Sequence, residues 1–298
     1  MNTLTTVSRW IRTSLYLLGA VAAPILLTPT AKADPAMWVI RTSDSTIYLI
    51  GTMHLLKQDT EWNNTKVKKA VTDSTELWLE VANIDDQASV LPLVTQYGLD
   101  PEKTLSSKLS PAQKQKLDTV AATYGIPSEM LEPMRPWLAA MTFDLLPLQK
   151  AGYDPSAGVD HVLRAQAVEE GDKIFGFETA EEQIKLLADL SQPEQIAFLA
   201  ESLADAEKGL TQLETVARAW LSGDTETLSN ILVNEVKKES PALYQKLLVQ
   251  RNVAWTNQIV KMLKSPGVRQ IAVGAAHLAG PDSVQVQLAK RGIKVDRY

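Results

Sequence analysis

The feature that most restricts what this chain can become is a piece of local grammar that occurs twice. Thr46–Leu56 (TIYLIGTMHLL) and Val268–Ala279 (VRQIAVGAAHLA) each run as an apolar stretch, a glycine, two further residues, a histidine and a leucine. Each apolar stretch has the length and composition of a buried strand. Glycine at the strand end lets the backbone turn sharply and lets a ligand or another segment come close. The chain holds only three histidines, and two of them fill these equivalent places near opposite ends of the sequence. Open α/β sheets bind ligands beyond the carboxyl ends of their strands. If the two strands lie side by side and point the same way, His54 and His277 face one crevice.

Two further predicted strands end in a carboxylate. Glu76-Leu-Trp-Leu-Glu-Val81 carries Glu80, and Lys173-Ile-Phe-Gly-Phe177 runs into Glu178. Four strand exits therefore present two imidazoles and two carboxylates. That set of nitrogen and oxygen donors suits Mn, Fe, Co or Zn with positions left for water, and a spare glutamate could serve as general base. The same groups could also act without metal, a histidine drawing a proton from water while a glutamate orients it. Asp160 could enter the crevice from a helix or hold an imidazole in place. Arg135 and Arg251 are candidate oxyanion stabilisers, and Gly51 and Gly274 candidate points of substrate approach. His161, inside a helical pattern, reads as a helix-surface histidine. Trp137, Trp220 and Trp255 read as core residues of amphipathic helices.

The rest of the chain frames these motifs. Arg9 and Arg12, an apolar run from Leu15 to Leu27, and Ala31-Lys32-Ala33 spell an export signal over residues 1–33, cleaved after Ala33. The apolar run is short of the roughly 20 residues of a membrane span. No lipobox cysteine, sorting motif or surface anchor follows, so the expected location is a Gram-negative periplasm, with no membrane span after cleavage. Removing residues 1–33 deletes three basic residues and no acid, leaving 27 basic against 35 acidic residues and a formal charge of −8. That balance argues against nucleic acid as a partner. There is no cysteine, which excludes disulfides and zinc–thiolate sites.

Met37–Arg41 and Thr46–Ile50 read as a β-hairpin, Val268–Val273 and Ile293–Asp296 as strands near the other end. The middle is mostly helical, over about 100–172 and 180–265, with Pro133, Pro136 and Pro147 set to break or kink the helix predicted over Ser128–Lys150. The expected fold is α/β, a mixed β-sheet built from N- and C-terminal strands with a large helical insertion, residues 34–298 forming one domain.

In these residues the chain resembles the TraB/GumN family, related to the TIKI metalloproteases, to erythromycin esterases and to a haem-binding lipoprotein family. Beyond the two Gly-x-x-His units, the resemblance includes Leu79-Glu80, Arg135-Pro-Trp137, Gly158-Val-Asp160, Gly176-Phe-Glu-Thr179 with Glu182-Gln183, and Arg251-Asn252. It implies a mixed-sheet α/β fold with both histidines at one site. It also implies a metal-dependent hydrolase, peptidase-like and served by a divalent ion such as Mn, Co or Zn. His54, Glu80 and His277 would be its metal or catalytic groups, acting on a peptide or a small ester or amide. Two other readings stay open: a metal-independent esterase using a His/Glu pair, and a non-enzymatic protein that binds haem, metal or a polypeptide.

Overall fold

The computed structural model of the chain describes residues 33–83, 86–204 and 206–298. The export signal expected over residues 1–33 lies outside them except for Ala33. No helix among the described residues is long and apolar enough to cross a membrane.

Eight strands form. They are β1 Met37–Arg41, β2 Ser45–Thr52, β3 Leu56–Lys57, β4 Glu76–Val81, β5 Tyr153–Asp154, β6 Lys173–Glu178, β7 Gly267–Gly274 and β8 Asp296–Arg297. Six of them make one sheet in the order β6-β4-β7-β2-β1-β8, and β3 pairs with β5 in a separate two-stranded ribbon. β2, β7, β4 and β6 run parallel to one another, while β1 is antiparallel to β2 and to β8. The fold is thus mixed α/β, and strands from both ends of the sequence are neighbours in it, as the sequence predicts. Thr52 lies opposite Gly274 and Val81 opposite Glu178, so the four parallel strands end at one edge of the sheet.

The unbroken apolar character of β2 and β7 has a direct cause. Both faces of a parallel sheet are covered, so both sets of alternating side chains must be apolar. Tyr48, Ile50 and Ala272 face the larger core, shared with Val67, Ala70 and Val71 of helix α1 (Thr65–Asp73). Ile47, Leu49, Ile271 and Val273 face a second core, made with Trp255, Ile259 and Met262 and with Val284 and Leu288.

Most of the remaining chain is helix. The longer helices are α2 Gln87–Gly98, α3 Pro111–Tyr124, α4 Pro136–Lys150, α5 Val159–Glu170, α6 Ala180–Ala188, α7 Gln192–Ala204, α8 Ala206–Leu221 and α9 Gln250–Met262. α3 starts where predicted, with Ser110 and Gln113 forming a reciprocal cap and Pro111 at the first helical position. The helix predicted from Ser128 is interrupted, because Met134 and Arg135 are extended ahead of Pro136, and only a short turn (Ser128–Leu131) precedes the break. Pro147, by contrast, stays inside α4 near its end.

Three features depart from the sequence reading. α2, capped by Asp86 and tolerating Pro92 in its interior, was not foreseen. The last strand covers Asp296–Arg297 rather than Ile293–Asp296, since Ile293 and Val295 pack against the second core and leave the ladder to the residues after them. The helix predicted over Pro241–Leu263 widens into a π turn at Gln245–Val249, immediately before α9, and a second π turn occupies Asn230–Asn234. Such widened turns cluster at functional sites.

One buried bond ties the helical layer to the sheet edge. Trp220 of α8, 1% exposed, donates its indole N–H to the carbonyl of Gly51 at 2.7 Å. Trp220→Phe removes that donor and leaves a gap in the larger core. Chemical denaturation should show a loss of about 2 kcal/mol in unfolding free energy.

Candidate functional site

The two glycines that close β2 and β7 do different work. A Cβ on Gly51 would lie 3.0 Å from the Cα of Ala275, so this glycine lets the neighbouring strand exit pack tightly. It does not line the cavity described below, contrary to the expected substrate contact. Gly274 does line it, and its N–H donates to Oε1 of Glu80 at 2.7 Å. A Cβ there would stand 3.0 Å from that oxygen, 3.6 Å from the His277 ring and 3.7 Å from Nε2 of His54. Both imidazoles and Glu80 thus gather around one point at the exit of β7.

The floor of this cluster is organised by Arg251, one residue into α9. Its Nε donates to both oxygens of Glu178, at 2.8 and 3.1 Å. Nη1 donates to the carbonyl of Leu247 at 3.1 Å and meets Nε2 of His277 at 3.0 Å. Nη2 donates to Glu80 at 2.7 Å and to Glu178 at 2.9 Å. A guanidinium has five N–H groups, and these contacts use all five. The indole of Trp255 lies beneath, 4.8 Å from the guanidinium carbon, and donates its own N–H to Glu178 at 3.1 Å. The expectation of Arg251 as oxyanion stabiliser therefore needs correcting: it has no donor left for a substrate. It is an anchor, and Glu178, which does not line the cavity, is part of its mooring.

These contacts fix the protonation states. Burial works against charge on Glu80, but the Arg251 guanidinium first, and then His54 and the Gly274 N–H, hold its carboxyl far below the usual carboxylate range. Gln183 of α6 adds a donor at 2.7 Å to the oxygen that faces Arg251. Burial and the Arg251 charge together pull His277 down to about 3, so this imidazole is neutral. Because Arg251 can only donate to its Nε2, the proton of His277 sits on Nδ1 and is given to Oδ1 of Asn252 at 2.6 Å.

His54 behaves oppositely. Its Nδ1 is buried 3.3 Å from Oδ1 of Asp160, while two-fifths of the side-chain surface stays open. Asp160 is buried in the first turn of α5, where the helix N-terminus favours a negative charge. The contact is an ion pair without hydrogen-bond alignment, since neither carboxylate oxygen has an aligned donor among the described residues. Burial opposes charge on the ring, but Asp160 first and Glu80 second overcome it against Arg251. His54 is pushed up to about 9.

Gly158 makes this pairing possible. Val159 N–H donates to the carbonyl of Met53 at 2.8 Å, docking the start of α5 on the exit of β2. A Cβ on Gly158 would lie 2.3 Å from the carbonyl oxygen of His54, against backbone that cannot yield. Asp160 is thus placed to hold an imidazole, one of the two roles foreseen for it.

Above the floor opens a cavity of about 440 Å³, whose polar lining is His54, Glu80, Gln183, Arg251, Gly274 and His277 with Thr142 on the wall. Arg135 lies outside that lining, and what holds it is a backbone bond from its N–H to Gly98. His161 also lies outside it, half-buried on α5. Trp255 and Trp220 are core residues as expected, but buried Trp137 also forms part of the cavity wall. The roles of Gln183 and Asn252 went unread in the sequence, although both sit in motifs that carry the resemblance.

A divalent ion would need the Nε2 lone pair of His277, which faces Arg251, and would compete on Glu80 with Gly274 at Oε1 and with Arg251 and Gln183 at Oε2. As arranged, the donor set does not fit a metal, and no ligand cage of three or more His, Asp or Glu forms among the described residues. One feature does match metal-binding histidines: each ring has its Nδ1 held by an oxygen, from Asp160 or Asn252.

Sheet and cluster together define an α/β protein with a histidine, carboxylate and arginine site at the carboxyl ends of its parallel strands. The chain belongs to the TraB/PrgY/gumN family, whose model matches residues 36–297. It is similar to the uncharacterized protein YbaP of Escherichia coli K12, 26% identical over 256 residues that cover 85% of this chain and 92% of that protein. YbaP of Shigella flexneri matches to the same extent. An uncharacterized protein of Treponema pallidum is 21% identical over 289 residues, covering 92% of this chain and 85% of its own length. No solved structure matches the chain.

Two outcomes test the geometry. Gly158→Ala should lift α5 from the β2 exit and separate Asp160 from His54. The His54 imidazole, followed by NMR, should then titrate nearer to the ordinary value of about 6.5 than to 9. Arg251→Met should cost about 3–5 kcal/mol in denaturant unfolding, because Glu80 and Glu178 are left close together, largely buried and without their cation.

Proposed function

We propose that the chain is a hydrolase of ester or amide bonds whose working group is His54 backed by Asp160. The observation that carries this reading is the orientation of one ring. Its Nδ1 is buried against a carboxylate, and its Nε2 edge lies in a cavity beside Gly274. That is the arrangement of an imidazole positioned to move protons. Of the three groups gathered at Gly274, His54, pushed up to about 9, is the one with both protonation states in reach: Glu80 is held charged by Arg251, and His277 is held neutral by burial and then by Arg251.

In this reading neutral His54 accepts a proton on Nε2 from a water molecule, and the water oxygen bonds to the carbonyl carbon of the substrate. The imidazolium then gives that proton to the leaving oxygen or nitrogen as its bond to carbon breaks. Asp160 holds the ring and stabilises the positive charge that forms. Arg251, Glu80, Glu178 and His277 act as a rigid, mutually neutralising base plate. The partner of the working histidine is therefore Asp160, where the sequence suggested a glutamate.

A metal-dependent version is the second reading, favoured by the two anchored Nδ1 atoms. There His54, Glu80 and His277 would hold a divalent ion, with Arg251 withdrawn from them. A bound ion would supply an acidified water and a polarised carbonyl.

Hydrolysis of a panel of esters and peptides by the purified protein, before and after exhaustive chelation, decides between them. The metal-free reading expects unchanged turnover after chelation and a loss of at least a hundredfold in His54→Ala. Because the base works deprotonated, kcat/KM should rise with pH and level off above about 9. Asp160→Asn removes the main cause of the raised value, so it should move that inflection downward and lower the plateau. Activity that falls as pH rises through 9 would overturn the general-base role.

A further inference from the structure

The base plate explains only the bottom of the cavity. Its walls come from five separate helical segments: α2, α4, α6 and both π turns. They present Trp137, Met141, Leu145, Leu187, Leu232 and Leu248 among other apolar side chains, and Thr142 is the one wall residue with a hydroxyl. Leu232 belongs to one π turn and Leu248 to the other, so the widened backbone coincides with the cavity wall. Side chains that face a void forfeit the stabilisation that packing would give them, and so extensive an apolar lining over a polar floor is the usual mark of a ligand site.

The chemistry of the floor narrows the ligand. Both oxygens of Glu80, all five N–H groups of Arg251 and both nitrogens of His277 are engaged, so a ligand can address the Nε2 edge of His54 and the amide of Gln183. With His54 protonated, the two cations Arg251 and His54 are outnumbered by Glu80 on the floor and by Glu178 and Asp160 behind it. The cluster as a whole therefore carries a net negative charge, which disfavours an anionic head group. The walls, with one hydroxyl, cannot satisfy the N–H and C=O groups of an extended peptide, each of which is costly to bury unpaired. A hydrocarbon chain makes no such demand.

We propose that the cavity takes the aliphatic acyl chain of an uncharged ester or amide, its carbonyl seated at His54 and its leaving group toward the opening. This rests on the hydrolase reading above. Water then adds its oxygen to the acyl carbon, the carbon–oxygen or carbon–nitrogen bond breaks, and the products are a fatty acid and an alcohol or amine. The acid leaves as an anion that the negative cluster disfavours, which assists release.

Two measurements keep the two readings apart. Binding of methyl ketones from hexanone to dodecanone, which cannot be hydrolysed, is followed by calorimetry on the wild type and on His54→Ala. Affinity should tighten about fourfold per added methylene until the cavity is full, in both proteins. The fatty-acid anion of equal length should bind more weakly. Turnover is then followed on p-nitrophenyl esters from acetate to decanoate and on peptides. kcat/KM should climb with acyl length, and Leu248→Trp should move the optimum to shorter chains. The variant's circular dichroism and melting transition establish that it is folded. Ketones that bind with this length dependence, in a protein that turns over no ester, would sink the hydrolase and leave the acyl site standing. Histidine-dependent turnover that is flat in acyl length, or that favours peptides, would overturn the acyl site and leave the hydrolase.

Discussion

The site exists because β2 and β7 pair in parallel, in a register that sets Thr52 opposite Gly274. A parallel pair brings two strand exits together at the same edge of a sheet, and chain segments remote in sequence can be joined in this way only if everything between them is routed elsewhere. Here the intervening chain forms two further parallel strands and most of the helices. β4 pairs with β7 on its other side, so the exit of β7 lies between those of β2 and β4. His277, His54 and Glu80 meet around Gly274 for that reason. The absence of a side chain at Gly274 then leaves its N–H free to approach Glu80, and at Gly51 it lets Ala275 come close.

Arg251 converts this meeting of groups into a defined electrostatic state. Two glutamates 12% and 14% exposed in their side chains would repel each other and resist ionisation without a cation between them. The guanidinium removes the repulsion by binding both. In doing so it forces a lone pair of His277 toward itself, which keeps that ring neutral and sends its proton to Asn252. The polarity of His54 is set from the other side, by Asp160 at the start of α5. Two chemically identical imidazoles thus acquire opposite tendencies: burial and then Arg251 pull His277 down to about 3, while Asp160, on a different helix, pushes His54 up to about 9. Pairs of titratable groups driven apart in this manner are a recurrent property of working sites.

Much of this frame was legible in the sequence, for reasons that can be named. β2 and β7 read clearly because strands covered on both faces must be apolar throughout, and the glycine after each marks the turn. Glu80 and Glu178 stood out as carboxylates closing apolar runs. Four things were not legible. The saturation of Arg251 depends on partners from β4, β6, the turn after β7 and the π turn before α9, and no local pattern encodes a count of hydrogen bonds drawn from four places. Asp160 was readable as a holder of an imidazole, but its choice of His54 depends on how closely Gly158 lets α5 approach, which is a matter of tertiary packing. The cavity walls were hidden for a third reason. Met141, Leu145 and Leu187 have the spacing of core residues on amphipathic helices, and facing a void rather than a neighbour leaves no mark on periodicity. α2 escaped because Pro92 lies inside it, where proline ordinarily argues against a helix.

The apolar walls and the polar floor depend on each other. An ion pair such as His54–Asp160 is weak in water and grows stronger as water is excluded around it, so the hydrocarbon lining is part of what makes that imidazole basic. The same lining would be a liability above a floor of unsatisfied charges, since a dry cavity gives such groups nothing to bond. Complete engagement of Arg251, Glu80 and His277 by protein partners removes that difficulty. It also explains why a cation at the centre of the cluster need not attract an anionic ligand: its charge is already outweighed by the carboxylates that hold it. What remains exposed to an occupant is hydrocarbon on the walls and, at the bottom, an imidazole edge able to give or accept one proton. On the proposed reading, chemistry confined to that edge selects a polar bond at the end of an apolar group, because the charged residues of the floor are spent on one another.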